Sequence, residues 1–246
     1  MPKSTTPHHA RVLLLAGATA RTGEAVLRRF LEAGFRIGAI ARDQARLQTV
    51  LERIPGAQDP ARVLPLQADL LHSEQAERAV AETVTRFGRV DAMTTLTGAG
   101  YLQKPFAETQ LNELRTVVEG NLYTTYTLCR AVLPHMLARG DGYIATIAGG
   151  SALDPGYGRS LFAASKAAIV TLTKGIARDH KQQGIRANCL VAGTIATEQA
   201  RRRLTAEDLS AATTLEEFAD ALVFLCSPTA SGLSGSIIEL NGREVD

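Results

Sequence analysis

Gly17 and Gly23 enclose the segment Ala18-Thr19-Ala20-Arg21-Thr22, between the apolar run Val12–Ala16 and an amphipathic stretch that starts near Thr22. A pyrophosphate needs three things from a protein: a tight turn, backbone close enough to donate N–H groups, and a helix N-terminus aimed at the charge. Glycine at both ends of a strand-to-helix turn supplies them, which makes Gly17, Thr19, Ala20, Arg21, Thr22 and Gly23 candidate dinucleotide-binding residues. The alternative is a glycine turn that serves helix–strand packing alone. The context, after a strand and before an amphipathic helix, favours the dinucleotide.

A second chemical signal follows the second apolar run, at Ala41-Arg42-Asp43. A site that prefers NAD places an acidic residue at that strand end, where it accepts hydrogen bonds from the ribose hydroxyls. Here the place holds Ala41, followed by Arg42. A guanidinium suits a 2′-phosphate through charge-assisted bonds, each worth about 1.5–3 kcal/mol, and Arg21 could support it from the first loop. The expected cofactor is therefore NADP(H) rather than NAD(H). The plainer reading of Arg42 is that it caps or solvates the next helix.

These residues need elements to hold them. Short β-rich apolar runs at Val12–Ala16, Arg36–Ala41, Val63–Gln67, Ala92–Leu96, Gly142–Ala148, Arg186–Val191 and Ser236–Leu240 alternate with longer helical patterns. The helices are expected near Thr22–Ala33, Gln44–Ile54, Ser73–Phe87, Leu111–Ala138, Ser160–Lys181 and Leu215–Cys226. Such alternation predicts an α/β fold: a single doubly wound parallel-sheet Rossmann domain of about seven strands, with helices on both faces. Loops after the strands then gather along one edge, where ligands bind. The domain is expected over residues 11–246, with the polar residues 1–10 fraying.

Composition narrows the function classes. Of 246 residues, 45% are hydrophobic and 21% charged, as in an ordinary soluble domain with a large core. A formal net charge of +2 is too small to argue for nucleic acid or an anionic membrane surface. No apolar stretch approaches the roughly 18 residues of a spanning helix. The run Val12–Leu15 followed by Ala18-Thr19-Ala20 imitates a secretory leader, but is short of the roughly 7–15 apolar residues such a leader needs. Cys129, Cys189 and Cys226 are odd in number and lack metal or redox spacing, so no metal is expected, and buried thiols in a reducing, cytoplasmic setting are.

With these elements in place, about residues 11–242 resemble the short-chain dehydrogenase/reductase family. Its catalytic signature is Tyr-x-x-x-Lys on a helix, and the matching run here is Phe162-Ala163-Ala164-Ser165-Lys166. The lysine is present; the phenol has lost its hydroxyl. The family also has a serine that holds the substrate carbonyl about thirteen residues ahead of the tyrosine, and Gly149 stands there. Ser151, two residues on, could substitute only if the loop shifts. In the first loop the usual middle glycine is replaced by Ala20 or Arg21, and after the fourth strand Thr95-Leu96-Thr97-Gly98 replaces Asn-Asn-Ala-Gly, so the asparagine that often tethers this strand is missing.

Other positions carry the resemblance intact. It implies that Asp69 and Leu70, in Gln67-Ala68-Asp69-Leu70, lie beside the adenine; capping the helix near Ser73 is the alternative for Asp69, although Ser73 itself fits that role better. It implies that Gly98 keeps a close backbone approach to the cofactor. Asn121, in Glu119-Gly120-Asn121-Leu122, matches the helical bulge that holds a water leading to the lysine. Lys166 would bond the nicotinamide ribose; its other role, depressing a tyrosine pKa, has no partner here. In Ala192-Gly193-Thr194-Ile195-Ala196-Thr197, the Ile195 backbone would bond the carboxamide and Thr197 the carboxamide or phosphate.

A retained cofactor site with an altered acid leaves three readings. One is an NADP(H)-dependent reductase whose small-molecule substrate needs no tyrosine acid, such as an imine, an iminium or a conjugated double bond. The second is a non-redox cyclase or isomerase, and the third a cofactor-binding pseudoenzyme. Asn121, Lys166, Tyr157 and Ser151 are the candidate catalytic residues; Tyr101, Gly149 and Phe162 line the expected pocket, and Ser160 is a further candidate acid. The Arg201-Arg202-Arg203 run reads as a solvated helix face or as a lid charge for an anionic substrate. By analogy, two long helices, Leu111–Ala138 and Ser160–Lys181, would assemble a homodimer or homotetramer.

Overall fold

The computed structural model describes residues 10–100 and 103–243. Seven strands, β1 (Val12–Ala16), β2 (Arg36–Ala41), β3 (Val63–Gln67), β4 (Ala92–Thr95), β5 (Gly142–Gly149), β6 (Ile185–Ala192) and β7 (Ile237–Leu240), form one sheet in the order β3-β2-β1-β4-β5-β6-β7. Every neighbouring pair is parallel. The reason is written in β1, where Val12-Leu13-Leu14-Leu15-Ala16 is buried throughout. Successive side chains of a strand point to opposite faces. Leu13 and Leu15 accordingly join one core with Phe30 and Phe218. Leu14 and Ala16 join the opposite core with Val80, Leu128 and Val132.

The helices that cover these faces are α1 (Gly23–Glu32), α2 (Gln44–Glu52), α3 (Ser73–Phe87), α4 (Leu111–Val118), α5 (Thr124–Arg139), α6 (Ser160–His180), α7 (Glu198–Arg201), α8 (Ala206–Ala211) and α9 (Leu215–Leu225). The first core is roofed by α1, α2 and α9, the second by α3, α5 and part of α6. The chain runs outward from β1 to β3 and returns to β4 on the other side of β1. Ala16 and Thr95 are paired at the ends of β1 and β4. This reversal opens a crevice beyond the carboxyl ends of the strands, the usual ligand position in such sheets. At the opposite edge, buried Asp91 accepts from Val12 N at 2.8 Å and is bonded by Arg89 and Arg139, tying β1, β4 and the end of α5 together.

The helical segment over Leu111–Ala138 carries the bulge that the resemblance implies at Asn121: a π-helical turn at Glu119–Tyr123 separates α4 from α5. Gly120 forces the local geometry: a methyl group there would lie 2.6 Å from Ala99 Cβ. The segment between Thr197 and Leu215 contains α7 and α8, whose first turns are capped by the Thr197 and Thr205 hydroxyls, and Arg201, Arg202 and Arg203 are exposed at and beyond the end of α7. All three cysteines are buried free thiols. Among the described residues no helix is long and apolar enough to cross a membrane, and no His, Cys, Asp and Glu cluster could hold a metal ion.

Candidate active site

The first loop closes against the end of β4. Gly17 has φ +75°, and a methyl group on it would meet Leu96 C and Thr97 N at 2.9 Å. A methyl group on Gly23 would lie 2.1 Å from Ala18 O. Both glycines are therefore fixed by backbone contact. Helix α1 begins here with Thr22 at its N-cap, and the Thr22 side chain makes no capping bond. Its first N–H groups remain available to an anion. These features fit the phosphates of a dinucleotide.

At the end of β2, Arg42 and Arg21 are exposed, and neither forms an ion pair with a described residue. The cap of α2 is Asp43, whose carboxylate accepts from Arg46 N at 2.9 Å, so Arg42 is not occupied in capping. Asp69 accepts from Leu71 N at 3.1 Å and fixes the turn after β3. The cap expected of Ser73 is not found: α3 starts with His72 at the N-cap and no side-chain capping bond. Leu70 is buried in the second core.

Phe162 and Gly149 come together where α6 meets β5. Phe162 and Lys166 are one helical turn apart on the same face, with the ammonium nitrogen 5.7 Å from the ring centroid. Lys166 is 7% exposed. Its Nζ donates to Ile147 O at 3.4 Å, the one hydrogen bond it makes to a described residue. Burial pushes its pKa down to about 8, against a smaller upward pull from the Cys189 thiol.

A methyl group on Gly149 would lie 3.6 Å from Phe162 Cε1 and 3.7 Å from Ser151 Oγ. The short 3₁₀ turn Gly150–Ala152 curls Ser151 back and buries it. The Ser151 hydroxyl is thus brought beside the place where Gly149 lacks a side chain, by a tight turn of the loop.

Asn121 ties three elements together. Its amide donates to Ser165 Oγ at 3.0 Å, and its carbonyl oxygen accepts from Ala99 N at 3.3 Å. Ser165 Oγ in turn donates to Phe162 O at 2.7 Å. The Asn121 backbone oxygen freed by the π turn accepts from the Thr125 hydroxyl at 2.8 Å and the Thr124 hydroxyl at 3.3 Å. Asn121 is wholly buried. Its side chain and backbone act here as a clamp between the loop after β4, the π turn and α6.

The missing asparagine tether after β4 has a substitute that sequence reasoning passed over. Thr95 Oγ1 and Thr97 Oγ1 are 2.7 Å apart, and Thr97 Oγ1 is 2.8 Å from Thr124 Oγ1. This hydroxyl chain joins the end of β4 to the start of α5. The available signal was the threonine at position 95, a hydrogen-bonding side chain where the family pattern has its first asparagine.

Gly98 approaches closely: a methyl group there would be 3.1 Å from Asn121 Oδ1 and 4.0 Å from Lys166 Nζ. Beyond β6, Ile195 pairs with Thr213 in an isolated bridge, and the Thr197 hydroxyl accepts from Ala200 N at 3.3 Å as the cap of α7. Tyr157 does not join the centre: it is 76% exposed, with its backbone oxygen held by Gln103 Nε2, so its place among the candidate catalytic residues is corrected. Tyr101 lies outside the described residues.

The parallel sheet, the crevice at its switch point and the phosphate-ready first loop define a dinucleotide-binding α/β protein. The pattern of the short chain dehydrogenase family matches residues 11–208, and the chain belongs to that family of oxidoreductases. It is similar to 2-(R)-hydroxypropyl-CoM dehydrogenase of Xanthobacter autotrophicus, at 30% identity over 95% of this chain and 98% of the relative. Among solved structures it resembles levodione reductase (25% identity, TM-score 0.86), covering 94% of this chain and 96% of the other. A tyrosine-to-phenylalanine variant of ElxO with NADPH bound has the same fold (TM-score 0.87, 21% identity), again over 94% of this chain and 96% of the other.

Proposed function

We propose that this protein is an NADP(H)-dependent reductase whose substrate does not need a tyrosine acid: an imine or iminium, or a conjugated double bond. One observation carries the reading. Phe162 packs between Gly149 and Lys166 with no hydroxyl to offer, while the surrounding cradle keeps the glycines, the uncapped α1 terminus and the buried lysine. When bound, NADPH supplies a hydride; the chain must hold and orient the partners and exclude water.

In that arrangement Gly17, Thr19, Ala20, Thr22 and Gly23 hold the phosphates, Asp69 and Leu70 flank the base, and Gly98, Ile195 and Thr197 border the nicotinamide end. Lys166 serves as a ribose-bonding cation, since two of its three donors lack a partner among the described residues. Arg42, supported by Arg21, reads a 2′-phosphate. Phe162 makes an apolar wall, and the Ser151 hydroxyl lies beside Gly149. A positioned acid is worth typically about 10²–10⁴-fold, so ordinary ketones should be reduced slowly. A tyrosine-to-phenylalanine variant of ElxO holds NADPH, which supports a cofactor site that tolerates this ring.

Titration with NADPH and NADH, followed by cofactor fluorescence, tests the cofactor half. Tighter NADPH binding is expected, and Arg42→Asp should reverse the preference by about tenfold or more. Tighter NADH binding by the unaltered chain sinks it. Oxidation of NADPH on addition of a cyclic imine tests the chemical half. Binding without turnover across imines, enones and ketones would instead favour a non-redox or purely binding role.

A further inference from the structure

A cavity of about 210 Å³ opens beside Phe162. Its walls are of two kinds. Val117, Leu161 and Phe162 make an apolar side, while Lys104, Glu113 and Arg159 bring charge. Lys104 and Arg159 come from different loops, and the backbone staples those loops together. Lys104 N donates to Gly158 O at 3.1 Å, and Gln103 Nε2 donates to Tyr157 O at 2.8 Å. Gly158 has φ +71°, and a methyl group there would lie 2.8 Å from Lys104 N. The glycine is what allows the two basic residues to share one rim.

Among the described residues of this wall the acid is Glu113. Glu113 is committed twice: one oxygen accepts from Gln110 N at 2.7 Å and caps α4, the other pairs with Lys104 Nζ at 2.7 Å. Lys104, largest among the causes, and that capping bond hold the Glu113 carboxyl below its usual range. Glu113 thereby orients Lys104 and leaves the ammonium further donors. Arg159 stands at the N-cap of the 21-residue helix α6, where it cannot accept a hydrogen bond, and no acidic residue occupies the first turn. In that same turn the buried Ser160 hydroxyl has no hydrogen-bond partner. The helix end therefore adds partial positive charge to the two side chains.

We propose that this cavity is a substrate subsite for an organic acid, with its carboxylate held by Arg159 and Lys104 and its apolar body packed on Val117, Leu161 and Phe162. The inference rests on the reductase reading only in calling the ligand a substrate. It gives that reading a substrate class: an apolar carboxylate that carries its reducible bond toward Phe162.

Binding of sodium benzoate to the full chain, with and without NADP⁺, is followed by saturation-transfer NMR and compared with benzamide and acetate. Benzamide keeps the ring without the charge, and acetate the charge without the ring. Benzoate should bind about tenfold or more tightly than either. Arg159→Gln should weaken benzoate by about tenfold or more, Lys104→Gln should also weaken it, and both variants should bind NADPH as the unaltered chain does. The proposal is overturned if benzoate does not bind, if benzamide or acetate binds as well, or if Arg159→Gln leaves its affinity unchanged. Failure of the two readings is separable. Benzoate binding without NADPH binding keeps the subsite and removes the reductase; NADPH binding without benzoate does the reverse.

Discussion

On the proposed reading, Phe162 offers an aromatic ring without a hydroxyl that could exchange a proton, so its neighbours decide whether that chemistry can be introduced. The contacts around Gly149, at 3.6 and 3.7 Å, are ordinary van der Waals distances, and a serine side chain can be accommodated there without displacing backbone. Phe162→Tyr with Gly149→Ser should therefore restore both missing hydroxyls in an otherwise prepared site. NADPH oxidation with a panel of cyclic and aromatic ketones should rise by about 10²–10⁴-fold; no gain would show that the cradle is misplaced as well as unarmed.

Lys166 gives a second test at this scale. Below about pH 8 the folded and unfolded lysine are both charged, and the full cost of burying the ammonium is present. Between about pH 8 and 10.5 the unfolded lysine binds the proton and the folded one does not, so stability climbs with pH. Lys166→Met should stabilise the cofactor-free protein at neutral pH by about 1–3 kcal/mol. That advantage should shrink across the same window in thermal melts, and the variant should bind NADPH more weakly. A gain in melting temperature that does not change with pH would mean that charge burial is not its source.

The elements that place these residues differ in what they owe to their own sequence. Asn121 anchors the π turn to its surroundings, and Asn121→Ala removes the acceptor for Ala99 N and the donor to Ser165 Oγ together. A loss of about 1–3 kcal/mol is expected, with faster hydrogen exchange at the Ala99 amide; a melting temperature equal to that of the unaltered protein would leave the clamp without energetic weight.

The strands were legible because burial on both faces leaves continuous apolar runs such as Val12–Leu15, and three of them (β1, β2 and β3) begin and end where the pattern does. The π turn was legible only through the resemblance at Asn121, because its extra residue hardly disturbs helical periodicity; what demands it is the contact of Gly120 with Ala99, far away in sequence. Short capped helices such as α7 and α8 lack the length to show a period. The cofactor half of the site could be read from local glycines and charges. The Ser151 turn, the threonine chain and the pairing of Lys104 with Arg159 could not, since each joins segments that only the fold brings together.

At the scale of the whole molecule, the polar and apolar surfaces are unevenly divided. Of the eight large hydrophobic side chains that stand exposed among the described residues, half lie between positions 106 and 126: Phe106 at 70%, Leu111 at 64%, Tyr123 at 52% and Tyr126 at 53%. Scattered single exposures are ordinary, but a concentration along α4, the π turn and α5 marks a surface suited to another protein. A second copy of this chain is the partner that the proposed homodimer or homotetramer requires. The same helices carry Asn121 and line the cavity beside Phe162, so assembly would brace the site from behind. Light scattering on the purified chain at micromolar concentration should give a dimer or tetramer mass. Tyr126→Glu, placing a charge on an exposed position outside the core, should shift that mass to the monomer while leaving the circular dichroism spectrum unchanged. A monomeric unaltered chain refutes the assembly outright. An oligomer indifferent to Tyr126→Glu and to Leu111→Arg moves the interface to a different face of the molecule.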